Sequence, residues 1–301
     1  MGCTLVGKRN WPVYNEQLVR RGEALLDMSV LEGWDDELER MNRRKRGRPY
    51  SFPASLFRFL AFLRQAQRMP LRQMEGLLRS LTKALNLRAP DHSTIWCRLL
   101  AQPLRLRKPR LRRGKGHAVA TDSTGLKVSN RGEWLRDKWH VHRGWIKAHV
   151  AVEVGSGSVV GVVVTDERAP DHRFLPQLVR QAERRLPGPV KRVLADAAYD
   201  TRDNFAFLRE RGIDAAIPVR AGASRKSLGK GLARSLAVGE RRRIGETGWR
   251  LRHQYRIRWK VETTFSAVKR VIGESVMSRR RDIMLREAEQ MFAAYNQLMG
   301  V

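Results

Sequence analysis

What the chain lacks narrows its class first. Only two cysteines, Cys3 and Cys97, occur in 301 residues, too few and too scattered for a disulfide framework or a zinc site. No apolar run approaches the ~18 residues of a membrane-spanning helix, and Met1 to Asn10 lacks the apolar segment of a signal peptide. There is no internal repeat and no long low-complexity tract. Acidic residues are scarce: 30 Asp and Glu stand against 60 Lys and Arg, for a formal charge of +30 and a pI near 11.4. A monomer this basic repels itself, so a polyanionic partner, nucleic acid or an anionic membrane, is the simplest explanation. A hydrophobic fraction of 42% argues against a disordered basic tail. The length allows roughly two domains and a real core. The expectation is a soluble, cytosolic protein that binds nucleic acid.

The first third reads as helical. Residues 14–43 carry Leu18, Leu25, Leu26, Leu31, Trp34 and Leu38 as apolar positions, and the basic run from Arg43 to Pro49 breaks the pattern. That run is either a solvated linker or a short arm whose Arg46 and Arg48 enter a minor groove, where negative potential favours arginine. Pro53 and Pro70 can each open a helix, and Asp91 or Ser93 can cap a third. The helices at 71–85 and 93–101 form either a plain bundle or a helix-turn-helix-like pair. In the second case Ser93, Thr94 and Arg98 are the groove contacts. A basic linker from Pro103 to Lys115 marks a domain boundary.

Beyond the linker the period changes from helix to strand. His117 to Leu126 reads as a central strand with Asp122 midway, and a charge there is expensive unless it is paired or binds a metal. Residues 145–154 and 158–165 are the next strands, joined by a turn at Gly155-Ser156-Gly157. Asp171 reads as the N-cap of a helix over 172–186. Val190 to Ala195 is a short strand ending at Asp196, Asp200 caps a helix from Thr201 to Arg211, and Asp214 to Pro218 is a fifth strand. This order of strands and helices resembles a ribonuclease H-like fold, in which the first and fourth strands are neighbours.

One stretch organises the rest. On an ideal helix, Tyr255 to Lys269 separates into an apolar stripe (Ile257, Val261, Phe265, Val268, Ile272), a bordering stripe of Tyr255, Arg258, Glu262 and Lys269, and a solvated face with Arg256, Lys260, Thr263, Thr264 and Arg270. Spacing alone fits an amphipathic surface helix as well as a cleft wall. The series Tyr255-x2-Arg258-x3-Glu262-x6-Lys269, however, resembles the Y-R-E-K signature of bacterial insertion-sequence transposases of the DDE type. Asp122-Ser-Thr-Gly-Leu-Lys and Asp196-Ala-Ala-Tyr-Asp resemble the two upstream aspartate motifs, most closely those of insertion-sequence family five within the wider family-four group.

The resemblance implies an α/β protein: a ribonuclease H-like DDE catalytic domain over 115–301, with a mixed five-stranded sheet, flanking helices and a basic insertion at 220–252. It follows a helical, helix-turn-helix-like DNA-binding domain at 50–114 and an N-terminal helical region with basic linker at 1–49. Asp122, Asp196 and Glu262 are then the catalytic and metal-binding carboxylates. Three such groups can hold two hard divalent cations, Mg2+ or Mn2+. Tyr255, Arg258 and Lys269 would contact phosphates near the scissile bond.

The partners implied are double-stranded DNA, as element-end inverted repeats and target, and a second copy in a homodimer, with no membrane. The implied setting is bacterial, cytoplasmic and nucleoid-associated. The insertion is either a solvated surface segment, loop-like because of its glycines, or a DNA-bound one, in which Trp249 either stacks on a base or packs in the core. His140, His142 and His149 show no fixed metal-ligand set. A nuclease that cuts without joining, and a DNA-binding regulator without catalysis, are the alternatives; three carboxylates facing DNA speak against the regulator.

Overall fold

The computed structural model describes residues 10–27, 29–84, 87–111, 116–128, 145–220, 222–225 and 231–300. They fall into two compact units, one reaching to Leu104 and including Ala294–Gly300, the other spanning Arg105–Ala293.

The first unit is helical. The expected helix over 14–43 is divided into α1 (Trp11–Leu25), α2 (Ser29–Glu32) and α3 (Trp34–Asn42). Asp27 accepts the backbone N–H of Ser29 at 3.1 Å, and Gly33 takes the cap position of α3. The Asp side chain competes with helical pairing, and glycine carries the largest backbone entropy cost in a helix. Pro53 caps α4 (Ala54–Gln67), Pro70 precedes α5 (Leu71–Ala84), and α6 (His92–Ala101) follows Asp91. Asp91, rather than Ser93, is the cap: it accepts the Thr94 N–H at 2.6 Å. The core comes from α3 to α6, with Trp34, Leu60, Met74 and Ile95 among its members. Glu75 of α5 accepts the His92 N–H at 2.9 Å and meets its ring Nδ1 at 2.8 Å, which ties α5 to the start of α6.

The second unit is built on a mixed sheet of β1 (His117–Val128), β2 (Trp145–Glu153), β3 (Val159–Asp166), β4 (Val190–Leu194) and β5 (Asp214–Ala216), in the order β3-β2-β1-β4-β5. The first three strands are antiparallel, and β4 and β5 run parallel to β1. A two-residue strand, β6 (Ser275–Val276), adds parallel to the far end of β1. Two residues carry too little pattern to be read as a strand. The β2–β3 turn is held by Glu153, which accepts the Ser156 N–H at 2.6 Å, and by Gly157 at φ +75°.

Helix α7 (Leu175–Arg185) packs on the sheet through Leu175, Leu178, Val179 and Ala182. Gly161 of β3 permits that approach, since a Cβ there would meet the Leu178 carbonyl oxygen at 3.0 Å. The remaining helices are α8 (Arg202–Glu210), α9 (Leu232–Arg252), α10 (Trp259–Val271) and α11 (Arg281–Leu298).

Three local expectations are corrected. Asp171 is not a helix cap: Pro170 holds that position before the 3-10 turn Asp171–Phe174. The Asp171 carboxylate instead pairs with Lys147 at 2.8 Å. Asp200 is not the N-cap of α8, because Thr201 accepts the Asn204 N–H in that role at 3.2 Å. The basic stretch expected to be loop-like contains the 21-residue α9, kinked at Gly245 with φ 68° and ψ 172°. Each helical glycine costs only about 1 kcal/mol, and the Ala, Leu, Arg and Glu residues around them favour helix.

Candidate active site

The last paired residues of β1 and β4 are Ala120 and Leu194. Two positions further along each strand direction stand Asp122 and Asp196. Asp122 accepts the Ser123 N–H at 2.8 Å, and Asp196 accepts the Ala198 N–H at 2.9 Å. Burial pushes the Asp122 carboxyl above its usual range, opposed by the Ser123 N–H and the Arg258 charge and reinforced by the negative charge of Asp196. The two aspartates therefore sense each other in a half-buried setting.

The third carboxylate arrives differently from the single helix expected over 255–269. Tyr255–Arg258 is a 3-10 turn, entered through Gln254 in the left-handed region at φ 49°, and α10 begins only at Trp259. A 3-10 turn eclipses residues three apart, so the turn reaches the sheet at both ends. The Tyr255 hydroxyl donates to the carbonyl of Ala195, the residue before Asp196, at 3.3 Å. Arg258 bridges two carboxylates: Nη1 donates to Asp122 Oδ2 at 2.9 Å and Nη2 to Glu262 Oε1 at 2.5 Å. Glu262 is otherwise exposed. Lys269 lies further along α10, where its charge acts on Glu274, itself paired with Lys127 at 2.9 Å. Val261, Phe265, Val268 and Ile272 are buried. Thr264, expected on the solvated face, is also buried and donates its hydroxyl to the Lys260 carbonyl.

Two further residues stand close by: Tyr199, to which the sequence reading gives no role, and Asp200, which it reads as a cap. Tyr199 is buried with its hydroxyl unpartnered among the described residues, and burial pushes its phenol pKa up with Asp171, Asp122 and Asp196 adding to the shift. Asp200 is fully enclosed and accepts Arg234 through two bonds of 2.6 and 2.7 Å and the Arg220 N–H at 2.9 Å. No local pattern in the sequence points to a partner so far along the chain.

The other candidates are spread over the structure. Arg46 and Arg48 are exposed on either side of Gly47. Ser93 is exposed and donates to Asp91 at 2.8 Å, while Thr94 is half-buried. Arg98 does not reach outward: its guanidinium lies over the rings of Tyr50 (4.6 Å) and Phe57 (4.8 Å). Trp249 is buried against His253 and Tyr255, with ring centroids 4.9 and 5.3 Å away. His149 is enclosed and stacked on Phe174 at 4.3 Å, and burial lowers its pKa to about 4 against the opposing pull of Asp171. His140 and His142 lie outside the described residues.

Among the described residues no three His, Cys, Asp or Glu side chains are gathered closely enough to hold a metal ion. The guanidinium of Arg258 lies between two of the three carboxylates instead. The Asp122, Asp196 and Glu262 side chains offer hard oxygens, the ligand type that divalent ions such as Mg2+ take. No helix among the described residues is long and apolar enough to cross a membrane.

A family model described as a transposase DDE domain matches residues 113–297, and a second of the same description matches residues 19–131. The chain belongs to the DDE transposase family. Among solved structures, it is similar to a chain of the simian T-cell lymphotropic virus intasome in complex with PP2A regulatory subunit B56 gamma, at 15% identity and a TM-score of 0.26. That match spans 59% of this DDE transposase and 59% of the other chain. It is also similar to piggyBac transposase in its synaptic complex with hairpin DNA, at 11% identity and a TM-score of 0.41, over 94% of this chain and 74% of that one.

Proposed function

We propose that this DDE transposase binds the inverted-repeat ends of an insertion sequence of family five, cleaves them with the help of divalent metal, and joins the freed strand to target DNA. What supports the reading is the Arg258 bridge from Asp122, midway along β1, to Glu262, with Asp196 just past the end of the neighbouring β4. The strand order and this placement support a ribonuclease H-like catalytic domain over 115–301.

Asp122, Asp196 and Glu262 would hold Mg2+ or Mn2+, two ions per site. When bound, the metal supplies a Lewis acid for the phosphoryl oxygens and lowers the pKa of an attacking water or 3′-hydroxyl. The protein's own residues position the substrate. Tyr255 is anchored to the Asp196 strand, Arg258 offers a planar fork suited to a phosphate, and Lys269 provides a point charge further along the same helix.

The helical domain at 50–114 would read the element end in helix-turn-helix fashion, with Ser93 and Thr94 at the exposed start of α6 as base contacts. Arg46 and Arg48 in the region 1–49 would serve as a minor-groove arm. Arg98 would contribute only after leaving Tyr50 and Phe57. The basic insertion 220–252 would lie along the DNA. The functional unit is a homodimer on DNA, at work in the bacterial cytoplasm and nucleoid.

A strand-transfer assay tests the reading. Purified protein, Mg2+ and a duplex bearing the repeats that flank the source gene should yield both cleaved ends and joined products. Cleaved ends without joined products would identify a nuclease; binding without either would identify a regulator.

A further inference from the structure

Arg258 is bonded to two of the candidate carboxylates, and these are the wrong partners for a phosphate ligand. Its fork is spent on Asp122 and Glu262, at 2.9 and 2.5 Å. The side chains of Arg258 and Asp122 are each only 21% exposed, so that arm of the bridge is partly removed from water, where a charge-assisted pair is stronger than at the surface, while the Glu262 arm is exposed. Asp196, by contrast, is bonded to a backbone N–H and faces no cation at salt-bridge distance among the described residues. The ligand set is thus closed at two carboxylates and open at one. A metal ion cannot use the bridged oxygens of Asp122 and Glu262 while the guanidinium holds them. Nor can the same two N–H groups bind DNA phosphate until they let go.

We propose that Arg258 is the resident counter-cation of this site, displaced when metal binds and handed over to DNA phosphate. The inference rests on the reading of the three carboxylates as metal ligands. It makes Arg258 a positioning residue that couples metal loading to DNA engagement. The exchange balances in charge: one guanidinium leaves two carboxylates as one divalent ion enters, and the freed guanidinium is neutralised by a phosphate. Each ligand favours the state in which Arg258 has left the carboxylates, so each strengthens the binding of the other.

Mn2+ affinity is measured on the full chain without DNA, by electron paramagnetic resonance of the free ion. Arg258→Gln should bind Mn2+ about tenfold more tightly than wild type, equivalent to about 1.4 kcal/mol. Arg256→Gln, which removes an equal charge from the exposed face of the same turn, should change affinity by less than about twofold. Equal gains in both variants would reduce Arg258 to bulk charge and overturn the proposal. Asp196→Asn should lose affinity. If it binds Mn2+ as wild type does, the carboxylates are not the metal site, and both readings fall together.

A measurement on the unaltered protein guards against misfolding of the variant. The Arg258 side-chain resonances in 15N-arginine NMR should lose their protection from exchange as Mg2+ is added to saturation. Unchanged resonances at saturating Mg2+ would show that Arg258 stays on the carboxylates, and would sink the proposal.

Discussion

Asp200 and Arg234 face each other through two hydrogen bonds of 2.6 and 2.7 Å, with the Asp200 side chain fully enclosed. The pair joins the turn that follows Asp196 to the basic helix α9. A bidentate arginine–carboxylate contact fixes direction as well as distance, and Arg220 adds its own N–H to the same carboxylate.

Breaking that pair from one side should be costly. Asp200→Ala or Arg234→Ala leaves a charge without its partner, and each should destabilise the chain by about 3 kcal/mol. Replacing both with Leu and Met should cost clearly less than the sum of the single changes. Urea unfolding of the three variants checks this; additive losses would mean that the two residues act independently.

Removal of any one carboxylate should stop chemistry without stopping binding. Asp122→Asn, Asp196→Asn and Glu262→Gln should each abolish cleavage and joining, while affinity for an element-end duplex holds or rises because a repulsive charge is gone. Full Mg2+-dependent cleavage by one of them would take that residue off the catalytic list.

Three cations near Glu262 should separate by position. Arg258→Ala should lower the single-turnover cleavage rate by roughly tenfold or more, since charge-assisted contacts are worth about 1.5–3 kcal/mol. Arg256→Ala, on the exposed side, should change it by less than about threefold. Lys269→Ala, whose position is near Glu274, should weaken DNA binding and flatten its salt dependence by about one unit of slope, with the rate at saturating DNA within about threefold. Equal rate losses in all three would leave only bulk charge.

Enclosed His149 makes stability depend on acid. Its folded pKa of about 4 lies below the ordinary value of 6.5, so the folded state holds it neutral while the unfolded chain takes up a proton. The contribution is therefore present above pH 6.5 and lost as pH falls towards 4, by up to about 3 kcal/mol. Unfolding free energies at pH 7 and pH 5 should fall further for wild type than for His149→Gln; parallel falls would assign the acid sensitivity to other groups.

The strands and the apolar face of α10 were legible in the sequence because burial leaves a periodic mark. His117 to Leu126 and residues 145–154 fall within or around β1 and β2, and Val261, Phe265 and Val268 are buried in the pattern their spacing predicts. The two aspartates were legible as charges in unusual places. The sequence was silent where structure depends on contacts rather than period. Asp171 and Asp200 look like caps because a lone acidic residue before a helix usually is one, yet each carboxylate turns to a cation. Lys147 lies 24 residues before Asp171, and Arg234 lies 34 residues after Asp200. The break at Gln254 leaves no periodic sign, so spacing alone continues the helix back through Tyr255–Arg258.

The small strand β6 has a consequence for when the candidate site is assembled. Lys127 and Val128, at the end of β1, pair with Ser275 and Val276, just beyond the helix that carries Glu262. Asp122 and Glu262, linked through Arg258, are therefore brought near each other by a closure spanning most of the second unit, 140 positions apart in the chain. At about 5–20 residues per second of synthesis, Glu262 follows Asp122 out of the ribosome by roughly 7–28 s. Asp196 emerges about half-way through that interval, so for its second half the nascent chain carries both aspartates but lacks Glu262. The Arg258–Glu262 pair that bridges to Asp122 is thus made well after both aspartates.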